Sequence, residues 1–153
     1  MSIRLQSANL DTPEFADLMQ AHADLMLSLS PPGSCHFLAL DALRADDITV
    51  WEMRDGETLV GCGALKHLLE THGELKAMHT LESYRGAGLG RQMLTHIIEE
   101  ARGRGYQRLS LETGSMDGFL PSRTLYERFG FDRCAPFGDY VEDPHSVFMT
   151  RTL

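Results

Sequence analysis

The chain has 153 residues, 42% of them hydrophobic and 24% charged, with a formal net charge of −8. That length suits one domain with a substantial core, and the acidic balance argues against broad nucleic-acid binding, which needs a basic face. No apolar run reaches the roughly 20 residues of a membrane span, and Met-Ser-Ile-Arg at the start carries no signal-peptide core, so a cytoplasmic protein with no membrane partner is expected.

Ile3 and Leu5 alternate with polar neighbours and predict a short first strand. Thr12, Pro13 and Glu14 form a helix start: a capping hydroxyl, a proline at the first helical position, and an acid in the first turn. Phe15, Leu18, Met19, His22, Leu25, Met26 and Leu29 then recur at helical spacing as a core-facing stripe, stopped by Ser30-Pro31-Pro32-Gly33. Residues 36–44 suggest a short helix, best over 39–43. Residues 48–53 and 58–65 read as two strands joined by a turn containing Asp55-Gly56, a strong hairpin signal. Residues 66–72 read as a polar connection.

Residues 74–81 predict a strand and 89–102 a helix whose apolar stripe is Leu89, Met93, Leu94, Ile97, Ile98 and Ala101. Residues 107–113 predict a strand, 114–118 a loop, 121–129 a helix stopped by Gly130, and 147–152 a last strand, with 134–144 irregular between them. Consecutive strands on short turns should form an antiparallel meander, and the strand-helix-strand unit over 74–113 should add a parallel pair. The fold class is α/β (α+β): a mixed, mostly antiparallel sheet of six to seven strands with helices on both faces. Ligand should sit at the carboxyl end of the 74–81 strand, where the order switches.

That place holds Arg85-Gly86-Ala87-Gly88-Leu89-Gly90-Arg91. Three alternate glycines expose a row of backbone N–H groups, the following helix adds its N-terminal partial charge, and two arginines flank the loop. This pattern predicts a phosphate or pyrophosphate cradle. A kinase-like nucleotide site is excluded because no Gly-Lys-Ser/Thr follows. The three cysteines, Cys35, Cys62 and Cys134, are odd in number and widely spaced, so they read as reduced thiols, with Cys62 as buried filler. The seven histidines form no ligand-spaced motif, and no metal is expected.

Arg85, Gly88 and Gly90 match Q/R-x-x-G-x-G/A, and Leu125-Tyr126-Glu127-Arg128-Phe129-Gly130-Phe131 matches L-Y-x-x-x-G-F. In that order and in these elements, the chain resembles the GNAT family of N-acetyltransferases, in particular a bacterial subgroup of poorly defined substrate. The resemblance spans nearly the whole chain and is weakest over 30–47. It departs from the family where Phe119 stands in place of a common Asn and Ser122 in place of a common Ala.

The resemblance implies a single N-acetyltransferase domain over 1–153. It implies acetyl-CoA as co-substrate and a small-molecule or peptide primary amine as acceptor, and it allows a homodimer. Met78, His79 and Thr80, on a bulged strand, and Arg85, Gly86, Ala87, Gly88, Leu89, Gly90 and Arg91 would hold the CoA. A bulge over 78–80 would free backbone N–H groups for the thioester oxygen. Tyr126 would protonate the leaving thiolate. Glu74 and His79 compete as the general base, and position alone makes His36 and Tyr140 candidates for the acceptor pocket. A non-catalytic acyl-CoA sensor of the same fold is the alternative.

Overall fold

The computed structural model describes residues 2–31 and 39–153. Seven strands form one sheet in the order β1-β2-β3-β4-β5-β7-β6. They are β1 (Ile3–Ser7), β2 (Ile48–Asp55), β3 (Thr58–Leu69), β4 (His72–Thr80), β5 (Arg108–Gly114), β6 (Asp132–Cys134) and β7 (Ser146–Thr152). All neighbours are antiparallel except β4 and β5, which are joined through a helix. The helices are α1 (Pro13–Leu29), α2 (Leu89–Gly103) and α3 (Leu120–Arg128), with a 3-10 turn at Leu40–Arg44. Among the described residues, no helix is long and apolar enough to cross a membrane.

Side chains that alternate along the strands bury on two different layers. On one face, Met93, Leu94, Ile97, Ile98 and Ala101 of α2 pack with Trp51, Met53, Leu109, Leu111 and Tyr126. On the other face, Phe15, Leu18 and Met19 of α1 pack with Val50, Leu59, Cys62 and Ala64. Cover on both faces explains why residues Leu59 to Leu65 are buried without a break. Each large aliphatic or aromatic side chain of these layers, taken fully out of water, contributes about 1.5–3 kcal/mol. Cys62 is buried filler in this layer: burial pushes its thiol up to about 12, and it donates to the Ala77 carbonyl at 3.2 Å.

Four readings change. Residues 66–72 are not a connection: β3 runs on to Leu69 and β4 begins at His72, so only Glu70 and Thr71 turn. From Lys66 to Leu69 the side chains are half-buried or exposed, so the core alternation that marks a strand fades there. A three-residue strand, β6, pairs with β7 at the sheet edge, too short for its alternation to be read. The stripe on α1 is only half core, because Leu25, Met26 and Leu29 line an open groove. Of residues 36–44, the structure gives a 3-10 turn at Leu40–Arg44; His36 and Cys35 lie outside the described residues.

At the end of β5, a Cβ added to Gly114 would lie 2.2–2.8 Å from ring atoms of Phe119. A rigid ring cannot yield as a flexible chain end would, so Gly114→Ala should lower stability by about 1–3 kcal/mol. Urea denaturation checks this: an unchanged midpoint would mean that Phe119 moves freely.

Candidate active site

β4 and β5 pair only over His72–Arg108, Gly73–Leu109 and Glu74–Ser110, and then part. One cause lies in β4 itself. Its register with β3 slips between Ala64–Lys76 and Cys62–His79, so Ala77 and Met78 together stand opposite Gly63. Ala77 takes φ +54°, and among the described residues it is the only non-glycine with a positive φ. The bulge therefore lies at Ala77–Met78, earlier than the 78–80 expected; His79 and Thr80 are back in register with Cys62 and Gly61. Gly63 accommodates the bulge, since a Cβ there would come within 2.9 Å of Met78 Sδ.

Two concavities meet at the opening. A groove of about 500 Å³ runs from the glycine loop past Met78, His79 and Thr80 to Tyr126. Of the residues expected to hold CoA, all but Ala87 line it. Gly86 and Gly88 have φ of +84° and +86°, and a Cβ on either would meet nothing within 4 Å, so the loop backbone is open to a ligand. Gly90 serves packing instead, its Cβ position lying 3.3 Å from Leu125. Arg85 and Arg91 are exposed at the loop. An anionic pyrophosphate fits this cradle of open N–H groups, helix N-terminus and arginines.

The second concavity is a smaller cavity of about 100 Å³. One wall is a closed network: Lys76 Nζ donates to Glu74 Oε2 at 2.9 Å and to Tyr140 Oη at 2.9 Å, and Tyr140 Oη donates to Glu74 Oε2 at 2.7 Å. Across from it, Glu112 on β5 is pushed up to about 7 by burial, against weaker opposing pulls from Ser146 and Lys76. Met26, Met78, Phe119, Ser122 and Tyr126 line both the cavity and the groove. Tyr126 is buried, its ring edge-on to Phe131 at 6.0 Å, and burial holds its phenol well above the usual range, with the Glu112 charge adding to the effect.

The expected bases sit differently. Glu74 is buried and committed to Lys76 and Tyr140. His79 lies on the α1 side, its Nδ1 3.0 Å from His22 Nδ1, and burial lowers both rings to about 4. Tyr140 does reach the cavity, its ring edge-on to Phe137 and tilted against Phe148 of β7. Sequence reasoning missed Lys76 and Glu112. The signal for Glu112 was there: an acid inside a strand whose neighbours Leu109 and Leu111 are core.

Fold and family together define an acyltransferase. The sequence profile of the acetyltransferase (GNAT) family matches residues 14–131, and the chain belongs to that family of enzymes. The uncharacterized N-acetyltransferase YsnE of Bacillus subtilis is 54% identical over 140 residues, covering 92% of this chain and 93% of its own. An IAA acetyltransferase of Azospirillum brasilense is 40% identical over 126 residues, covering 82% of this chain and 81% of its own. The fold matches that of the PaiA N-acetyltransferase from Thermoplasma acidophilum in complex with coenzyme A, with a TM-score of 0.78 at 15% identity over 100% of both chains.

The two histidines give a stability test. Folded, they stay neutral down to about pH 4; unfolded, they take up protons below about 6.5. Their stabilisation is therefore intact above 6.5 and lost as pH falls towards 4. Melting temperature should drop less steeply over that window in the His22→Leu/His79→Leu variant than in the wild type. Equal slopes would remove the pair from the acid response.

Proposed function

We propose that the whole chain acts as one catalytic domain that moves an acetyl group from acetyl-CoA directly to a primary amine of a small molecule. One observation carries this reading: Tyr126 lines both the glycine-loop groove and the smaller cavity that holds Glu74, Lys76 and Glu112. The volume of that cavity, about 100 Å³, favours a small acceptor over a peptide.

Acetyl-CoA, when bound, supplies a thioester whose carbonyl carbon accepts the amine nitrogen. The loop over 85–91 and the edge of β4 hold and orient the donor, a contribution of position rather than of chemistry. Main-chain N–H groups at the Ala77–Met78 slip are the candidate donors to the thioester oxygen, and losing one such donor typically costs about 3–4 kcal/mol of barrier. Glu112 receives the proton that the amine gives up. A carboxyl near 7 is half ionised at neutral pH and basic enough for the task. Tyr126 protonates the departing sulfur, and its burial keeps the phenol in the donor form. Glu74 is the weaker base, since its Oε2 already accepts two hydrogen bonds. His79 is weaker still, turned to His22 and held near 4. Membership of an acyltransferase family weighs against the sensor alternative.

A screen of primary amines with thiol-release detection tests the reading. On an acceptor so found, Tyr126→Phe should lower turnover roughly 10²–10⁴-fold with acetyl-CoA affinity nearly unchanged, because the ring and its packing remain. Full turnover would reduce Tyr126 to a core aromatic. Wild-type kcat/KM should rise with pH through about 7, as Glu112 ionises, and Glu112→Gln should erase that limb along with most of the rate. A limb unchanged in the glutamine variant would move the base elsewhere.

A further inference from the structure

The acceptor cavity has an unbalanced charge, and the inference drawn from it rests on the acetyl-transfer reading above. Its charged lining residues are Glu74, Lys76 and Glu112. Lys76 and Glu74 neutralise one another, with Tyr140 closing the network. His22 faces the cavity as a neutral ring, and Tyr126 and Tyr140 face it as neutral phenols. Asp143 adds a further negative influence on Glu112. Arg123 does not line the cavity; its guanidinium donates to the Gly114 and Met116 carbonyls at 2.7 and 3.0 Å. Glu112 thus forms no ion pair among the described residues, and the nearby Lys76 already serves Glu74 and Tyr140.

We infer that the acceptor is a small primary amine that enters as its ammonium ion and carries no carboxylate beside the nitrogen, because Glu112 is half of an ion pair whose other half is lacking among the described residues of the cavity. The amine supplies that half. One of its N–H protons then passes to the Glu112 carboxylate, the freed nitrogen lone pair forms the new C–N bond, and the C–S bond breaks with its electrons on sulfur, which takes the Tyr126 phenol proton; the second proton that the nitrogen sheds on becoming an amide restores that phenol. An α-carboxylate on the same molecule would be buried against Glu112 with no free cation to receive it, and a buried unpaired charge is strongly disfavoured. Met26, Leu75, Leu111 and Phe119 line the rest of the cavity and suit a short hydrocarbon body.

The test pairs each amine with the amino acid from which decarboxylation would make it: ethylamine with alanine, and isobutylamine with valine. Binding is read by ligand-observed NMR on the CoA complex at pH 8, where Glu112 is ionised and no acetyl group is present to transfer. The amine should bind roughly tenfold or more tighter than its partner, and Glu112→Gln should remove the difference. Equal or tighter binding of the amino acids to the wild type overturns the inference, and that comparison stands if the variant fails to fold. A preference that survives in a folded Glu112→Gln protein also overturns it, as does failure of both members to bind while CoA still does. The thiol-release screen separates the two ideas: acetylated amino acids would sink this inference and leave acetyl transfer standing, whereas no turnover on any amine would sink acetyl transfer.

Discussion

The separation of β4 from β5 after three paired residues is the constraint on which the rest depends. Two parallel strands that continued in register would spend their N–H and C=O groups on each other and leave no room between them. Here β4 is diverted by the slip at Ala77, where an alanine holds a left-handed backbone that costs roughly 1–2 kcal/mol. Such strain persists where the surroundings over-determine it. Cys62 binds the Ala77 carbonyl, Gly63 leaves space for Met78, and α2 presses Met93 and Ile97 against the same spot.

The opening also sets the electrostatics. Lys76 and Glu112 each lie two residues past the last paired residues of their strands, Glu74 and Ser110. Without the parting, the two would be direct neighbours and natural ion-pair partners. With it, Lys76 turns to Glu74 and Tyr140, and Glu112 is left half-buried with its carboxyl raised to about 7. A buried network that satisfies its own members is rigid, whereas a buried carboxyl with no cation is reactive towards protons. The two kinds of group give the cavity a wall and a candidate base.

The α1 helix shows how one stripe serves two ends. Phe15, Leu18 and Met19 seal the core, His22 meets His79, and Leu25, Met26 and Leu29 continue over the groove. The spacing that makes the helix amphipathic is the same along its length. What the stripe touches changes because the sheet beneath it opens.

The sequence by itself determined whatever depends on neighbours along the chain. The glycines over 86–90, the helix caps, the hairpin at Asp55-Gly56 and the L-Y-x-x-x-G-F run are local patterns, so most of the element order, the open glycine loop and the helix that carries Tyr126 were legible. The tertiary structure alone decided what depends on distant partners. Glu74 became a wall residue because Tyr140, 66 positions away, donates to it, and His79 became a buried neutral ring because His22, 57 positions away, lies against it. Glu112 became the candidate base because the strand beside it turns aside, leaving it without an ion pair among the described residues. Alternation along a strand shows which face a side chain takes, but the charge it meets there is set by the folding of the whole chain.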